Sequence, residues 1–136
     1  MTKPKTVDDS EITMTEDYEY LYQGEPFTGI AVEYYEGFLL GEENYRDGML
    51  HGLAKRWHLE SEQLASLKSY ENNAVVGVRK EWYESGQLKL EEEIEEGIAL
   101  RRTVWDQFGD VVEEYRVEED EDPFLYELLQ LKRSRR

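Results

Sequence analysis

The chain has 136 residues, of which 32 are acidic and 16 are basic, so its formal net charge is −16. It contains no cysteine, which excludes disulfide bonds, thiol catalysis and thiolate zinc sites. A surface this acidic repels phosphate backbones and anionic lipid headgroups and attracts basic proteins. The length indicates a single domain. Because of the charge, we expect this domain to contact neither nucleic acid nor membrane directly. The alternative is that the charge only maintains solubility.

The N-terminal segment is polar and lacks the apolar core of a signal peptide. No stretch of the chain approaches the roughly 18 consecutive apolar residues of a membrane helix. We predict a disordered tail over residues 1–9 and a cytoplasmic protein. Alternating side chains then predict one or two strands that begin a sheet: Ile12, Met14, Tyr18, Tyr20 and Tyr22.

The middle of the chain repeats one pattern four times. The glycine that closes a loop in each copy falls at Gly29, Gly52 and Gly77, and Arg101 takes this position in the fourth copy. The spacings are 23, 25 and 24 residues. A period of this size indicates a repeat architecture.

Each copy has the pattern of a β-hairpin. After the closing glycine the side chains alternate, so Leu53, Lys55 and Trp57 point to one face of a strand. A short break such as Ser85-Gly86 follows, where glycine supplies the positive φ of a tight turn. Successive hairpins predict an all-β fold, a single elongated antiparallel meander over residues 10–122.

The repeated pattern, Tyr-x-x-Gly-x-x-x-Gly followed by Trp and then Tyr or His, resembles the MORN repeat in its bacterial variant form. The resemblance covers about Tyr22 to Val117. The sequence departs from the pattern at three glycine positions, occupied by Glu62, Asn73 and Arg101. Proteins made almost wholly of this variant repeat are commonly antitoxins or immunity proteins, encoded beside secreted polymorphic toxins that include nucleic-acid deaminases and nucleases. Other MORN proteins are scaffolds, so the resemblance also allows an adaptor that binds proteins without any toxin.

An immunity protein would bind a cognate toxin whose surface is basic, using aromatic anchors surrounded by acidic side chains. The predicted anchors are Tyr35, His58 and Tyr83, and the predicted acidic residues are Glu33, Glu42, Glu81, Glu91 and Glu93. The alternation places Glu33, Tyr35, Glu81 and Tyr83 opposite Tyr34, Trp57 and Trp82, without indicating which face is free. The alternative is that the three anchors pack against neighbouring strands. Oligomeric state is left open.

Catalytic motifs are lacking. The chain has two histidines, and it has neither a glycine-rich phosphate loop nor a serine nucleophile motif. The acidic run at residues 118–122 lacks the alternating ligands and central glycine of a calcium loop, so we interpret it as a solvated linker. We predict a protein that is not an enzyme and binds no cofactor or metal.

The last segment, residues 123–136, predicts an amphipathic helix with a basic tail. Asp122 is the predicted N-cap and Pro123 the first helical residue. The apolar stripe consists of Phe124, Leu125, Leu128, Leu129 and Leu131. This helix is expected to cap the sheet by covering its last strand; the alternative is that it docks a partner or a second copy of the chain.

Overall fold

The structure, a computed structural model, describes residues 5–135. The strands are β1 Lys5–Asp8, β2 Ile12–Met14, β3 Tyr20–Tyr22, β4 Glu25–Pro26, β5 Gly29–Tyr35, β6 Phe38–Arg46, β7 Met49–Trp57, β8 Leu64–Glu71, β9 Ala74–Trp82, β10 Leu88–Glu95, β11 Ile98–Trp105 and β12 Val111–Arg116. A short 3-10 turn covers Asp9–Glu11, and the helix α1 covers Pro123–Ser134.

Nine of these strands form one open sheet in the order β1-β5-β6-β7-β8-β9-β10-β11-β12. From β5 to β12 every strand pairs antiparallel with the next strand in sequence. The predicted all-β antiparallel meander is therefore confirmed. The chain reverses between β6 and β7, β8 and β9, and β10 and β11 at Gly48, Asn73 and Gly97, which share a left-handed backbone conformation with φ values of 81°, 72° and 77°.

The prediction of a disordered tail over residues 1–9 is wrong for residue 9, which begins the 3-10 turn, and for residues 5–8. These residues form β1, which pairs in parallel with β5 from Gly29 to Val32. Val7 is only 6% exposed, and its burial together with the pairing to β5 offsets the entropy cost of ordering the segment. Residues 1–4 lie outside the described part of the chain.

The parallel contact with β1 explains why the first repeat closes on a glycine. A Cβ atom on Gly29 would lie 2.3 Å from the carbonyl oxygen of Lys5, so a larger residue would push β1 away. Gly29 also has a φ of 152°, which L-residues rarely adopt.

The alternating residues near the N-terminus were expected to begin the main sheet, and this expectation is also wrong. They form a separate three-stranded sheet, β2-β3-β4. Side chains from this small sheet cover one face of the large one, and together they form the core. The core residues are Val7, Phe27, Ala31, Tyr45 and Leu50, with Ile12, Tyr20, Tyr22 and Tyr70 packed around them.

Aromatic rings hold this core together. The ring of Tyr45 lies 5.1 Å from that of Tyr20 and 5.5 Å from that of Phe27, in tilted geometries. Such pairs stabilise by about 0.5–1.5 kcal/mol beyond their burial. Burial and the nearby Glu43 carboxylate together raise the pKa of Tyr45 well above its usual value, so its hydroxyl stays neutral.

The strand registers define two faces of the large sheet. We call the face that carries Ala31, Tyr45 and Leu50 the core face, and the other the opposite face. Residues paired directly across neighbouring strands share a face. The register places Ala54, Lys68, Arg79, Glu92 and Arg102 on the core face, and Val32, Lys55, Leu67, Lys80 and Thr103 on the opposite face.

The C-terminal helix is present as predicted. Leu129 is 2% exposed, and it lies with Tyr126 beside Leu100 and Val117. At the C-terminal end of the helix, the Lys132 ammonium donates to the carbonyl of Glu96 at 2.9 Å. The helix therefore packs at the turn between β10 and β11.

The expectation that α1 covers the last strand is wrong for most of β12. Val111 and Val112 are 52% and 62% exposed, and the outer edge of β12 pairs with no other strand of residues 5–135. Asp122 occupies the N-cap position but makes no capping hydrogen bond. Burial raises the pKa of the nearby Tyr115, and so do the charge of Asp122 and a hydrogen bond to its carboxylate.

Candidate partner-binding surface

The structure does not bring the eight predicted site residues together on one surface. The register places Glu33 and Glu81 on the core face. It places Glu42, Glu91 and Glu93 on the opposite face. The three predicted anchors, Tyr35, His58 and Tyr83, lie where hairpins β5–β6, β7–β8 and β9–β10 turn. The eight residues therefore occupy three separate regions.

Two of the predicted acids are already bound by an arginine of the same chain. The Arg101 guanidinium donates to Glu91 and to Glu93, at 2.9 Å each, and Lys80 lies 3.6 Å from Glu91. The hydrogen bond from Arg101 holds the pKa of Glu91 below its usual value, with the charges of Arg101 and Lys80 contributing. Arg101 thus replaces the closing glycine of the fourth repeat with a side chain that joins β10 to β11.

Two of the predicted anchors instead link successive repeats. The His58 Nε2 atom lies 2.8 Å from the carbonyl oxygen of Trp82, and the Tyr83 hydroxyl donates to the carbonyl of Trp105 at 2.9 Å. Both side chains are half-buried. The same position of successive repeats therefore makes the same contact, which favours the packing alternative for His58 and Tyr83.

Tyr35, the third anchor, differs from the other two. It is 51% exposed, and its hydroxyl makes no hydrogen bond to another described residue. Glu42 and Glu81 form no ion pair with another described residue, whereas Glu33 is paired with Arg56 at 3.1 Å. Of the predicted set, Tyr35, Glu42 and Glu81 are the residues available to a partner.

The core face also carries a row of charged side chains that the sequence analysis did not single out. Glu92 is only 3% exposed and lies between Arg79, at 3.2 Å, and Arg102, whose Nε donates to it at 2.6 Å. Arg102 in turn pairs with Glu113 at 3.5 Å. The two guanidinium groups compensate the desolvation of the Glu92 carboxylate, so this row joins β9 to β12.

The largest excess of unpaired acid lies at the N-terminal end of the molecule. Residues 5–50 carry twelve acidic side chains and two basic ones. Among these twelve, Glu33 is the one that forms an ion pair within the described structure. Because few cations offset it, this region presents a strongly negative surface to a basic partner. We call residues 5–50 the acidic end.

A loop at the acidic end presents an aromatic side chain among acids. The loop runs from Thr15 to Glu19, closed by a hydrogen bond from the Thr15 amide to the Glu19 carbonyl at 2.9 Å. Tyr18, at its tip, has a φ of 61° and is 65% exposed. The loop borders a cleft of about 320 Å³ whose walls include Asp17, Glu19 and Asp47.

Hydrogen bonds of the Asn73 side chain hold this loop in place. The Asn73 side chain donates to the Tyr18 carbonyl at 3.1 Å, and its oxygen accepts from the Leu50 amide at 2.7 Å. Sequence reasoning missed this surface because Tyr18 was assigned to a strand. The signal that could have found it was the shortage of basic residues before Leu50.

The described residues hold no cluster of three His, Asp or Glu side chains suited to a metal ion. No helix among residues 5–135 is long and apolar enough to cross a membrane. Comparison with protein-family models, curated proteins and solved structures found no match to this chain.

Proposed function

We propose that this protein is a bacterial immunity protein, an antitoxin that binds a basic cognate toxin and neutralises it in the cytoplasm. The observation that carries the proposal is the acidic end, where eleven carboxylates of residues 5–50 lack an ion pair with any described residue. A toxin that acts on nucleic acid has a basic substrate-binding surface, and dense carboxylates compete for it as phosphates do. The resemblance of the repeats to the MORN variant supports the same function.

The mode of inhibition that suits this surface is occlusion. The loop of Tyr18 offers an aromatic anchor with acids around it, the combination that dominates binding energy in protein interfaces. The loop joins β2 to β3 of the small sheet, which packs on the large sheet, and Asn73 holds the Tyr18 carbonyl, so the loop is presented on a packed support. The protein acts without catalytic chemistry or cofactor, as a stoichiometric inhibitor.

A scaffold that uses the repeats to bind proteins is the second candidate. Tyr35 and Phe38 pair across the turn between β5 and β6, share a face and are 51% and 43% exposed, so they offer an apolar surface that needs no charge on the partner. A scaffold of this kind would bind its partner with little dependence on salt, whereas the acidic end would bind with a strong dependence.

The test is co-expression with the product of the adjacent gene, scored for survival and then for co-purification. An antitoxin rescues cells from a toxic neighbour and forms a tight complex of fixed stoichiometry with it. A harmless neighbour, or one that does not associate with this chain, would exclude the antitoxin function. Reversing the charge of Glu91 is a poor mapping experiment because it also breaks the contact with Arg101, so Glu81 and the acids of the Tyr18 loop are the better positions.

A further inference from the structure

The outer surface of α1 is apolar as well as its inner surface. Leu129 faces the sheet and is buried, but Phe124 and Leu131 are 75% and 48% exposed. With 3.6 residues per turn, Phe124, Leu128 and Leu131 form a stripe on the side of the helix away from Leu129. Three apolar side chains at this spacing form a continuous strip, unlike the single exposed apolar residues that are normal on protein surfaces.

The charges around the helix are arranged with opposite signs at its two ends. The acidic run of residues 118–122 precedes α1, and basic residues end it. Arg133 is bound to Glu95 at 2.6 Å, whereas Arg135 is exposed and pairs with no described residue. A helix that is acidic before its start and basic at its end is electrostatically complementary to a second copy in the antiparallel orientation.

We propose that α1 is a dimerisation element, and that two copies of this chain associate through antiparallel pairing of this helix. In the two-fold arrangement Phe124 of one copy faces Leu131 of the other, and the acidic run of residues 118–122 lies towards Arg135 of the other copy. The apolar stripe is then covered by itself, as an isologous interface requires.

The unpaired edge of β12 is not suited to the association of two copies. If two β12 strands paired antiparallel about a two-fold axis near the strand centre, either Glu113 or Glu114 would lie opposite its own copy, because paired residues share a face. Like charges directly opposite each other destabilise a strand pair. Both side chains therefore protect this edge from self-association, and the helix is the surface through which copies meet.

Sedimentation velocity of the full chain tests the proposal. One helix pair is a small interface, so we expect reversible association between about 10 and about 500 µM, in roughly 0.15 M salt to screen the net charge. The mass should rise from 16.2 kDa towards twice that value. The double substitution Phe124→Ser with Leu131→Ser should stay monomeric throughout, with an unchanged circular dichroism spectrum.

The matched control is Phe108→Ser, which removes an aromatic ring that is 81% exposed in the turn before β12. This variant should associate as the wild type does. A wild-type chain that is monomeric at every concentration overturns the proposal. So does a dimer that persists in the double variant.

Single cysteines report the orientation, because the chain has none of its own. Glu127→Cys lies next to the two-fold axis, where it also removes a pair of like charges that the arrangement brings together, and it should form a disulfide with its copy under mild oxidation. Phe124→Cys should not do so alone, because its two sulfurs would be about 10 Å apart along the helices, beyond disulfide reach. It should cross-link when mixed with Leu131→Cys. Failure of Glu127→Cys to cross-link, or self-linking of Phe124→Cys at the same rate, contradicts the antiparallel pairing.

Discussion

Individual residues decide how regular the turns of this sheet are. The turn between β7 and β8 places Glu62 at a φ of 60°, where the equivalent turns have Gly86 and Gly109 at 91° and 93°. A side chain at this conformation costs roughly 1–2 kcal/mol relative to the right-handed region, and glycine avoids this cost.

We therefore expect Glu62→Gly to stabilise the protein by about 0.5–1 kcal/mol, since the gain is reduced by the greater freedom of glycine in the unfolded chain. The measurement is the free energy of unfolding in urea. Glu60→Gly in the same loop is the control, because Glu60 does not have a positive φ and its replacement brings no relief of strain. Equal effects of the two substitutions would mean that the strain at Glu62 is negligible.

Asn73 also replaces a glycine of the repeat pattern, but unlike Glu62 it stabilises the structure through hydrogen bonds of its side chain. Its φ of 72° suits glycine, but its side chain bonds both the Leu50 amide and the Tyr18 carbonyl. We expect Asn73→Gly to destabilise the protein by roughly 1–2 kcal/mol, because the half-buried Leu50–Asn73 bond is lost and the loop of Tyr18 is released.

The neighbouring Asn72 provides the control for that substitution. It also has a positive φ, of 48°, and its side chain makes no hydrogen bond to a described residue. Asn72→Gly should leave stability unchanged or raise it slightly in the same urea titration. Amide hydrogen exchange of residues 15–19 should accelerate in the Asn73 variant alone; unchanged exchange there would show that Asn73 does not hold the loop.

At the scale of elements, the repeated hairpins are joined by one recurrent contact. His58 and Tyr83 each reach the tryptophan carbonyl of the next repeat, and Tyr35 occupies the same position without such a bond. We expect Tyr83→Phe to lower the free energy of unfolding by about 0.5–1.5 kcal/mol, since the Trp105 carbonyl loses its donor. Tyr35→Phe, the same chemical change, should cost nothing measurable. A similar loss in both variants would show that the hydroxyl contact is not what stabilises the repeat.

The elements that could be predicted well from the sequence are those whose signals lie close together along the chain. Turn residues and alternation lie within a few residues of each other, so the hairpins from β5 to β12 could be predicted. The pairing of β1 with β5 joins residues that are 24 positions apart in the sequence. It involves only four residues of β1, which are too few to show a periodic pattern. The binding of Glu91 and Glu93 to Arg101 was equally hidden, because it depends on the register across the irregularity between Glu93 and Ile94.

The candidate surface was harder to predict than the fold for the same reason. The sequence identified aromatic positions at the hairpin turns, but it could not tell that His58 and Tyr83 meet backbone of the next repeat while Tyr35 does not. The cleft beside Tyr18 joins a loop before β3, the turn after β6 and Asn73 after β8. Such a site is formed by tertiary packing, and no short motif reports it.

At the scale of the whole molecule, charge is distributed unevenly along the sheet. Residues 51–117 contain fourteen acidic and nine basic side chains, and many of these pair across neighbouring strands. The acidic end lacks such compensation. Since a field from unpaired carboxylates accelerates encounter with a basic partner, the acidic end should determine the association rate of the proposed complex.

Reversing charge at the acidic end should therefore slow binding more than the same change elsewhere. With the toxin domain from the adjacent gene as ligand, we expect the triple substitution of Glu16, Asp17 and Glu19 by Lys to reduce the association rate at least about tenfold in low salt. The control replaces three exposed acids outside the acidic end, Glu60, Glu71 and Glu114, so both variants change the net charge equally. Stopped-flow fluorescence at several salt concentrations gives the rates. Equal slowing by both variants would show that net charge alone steers the partner, and it would remove the loop of Tyr18 from the binding surface.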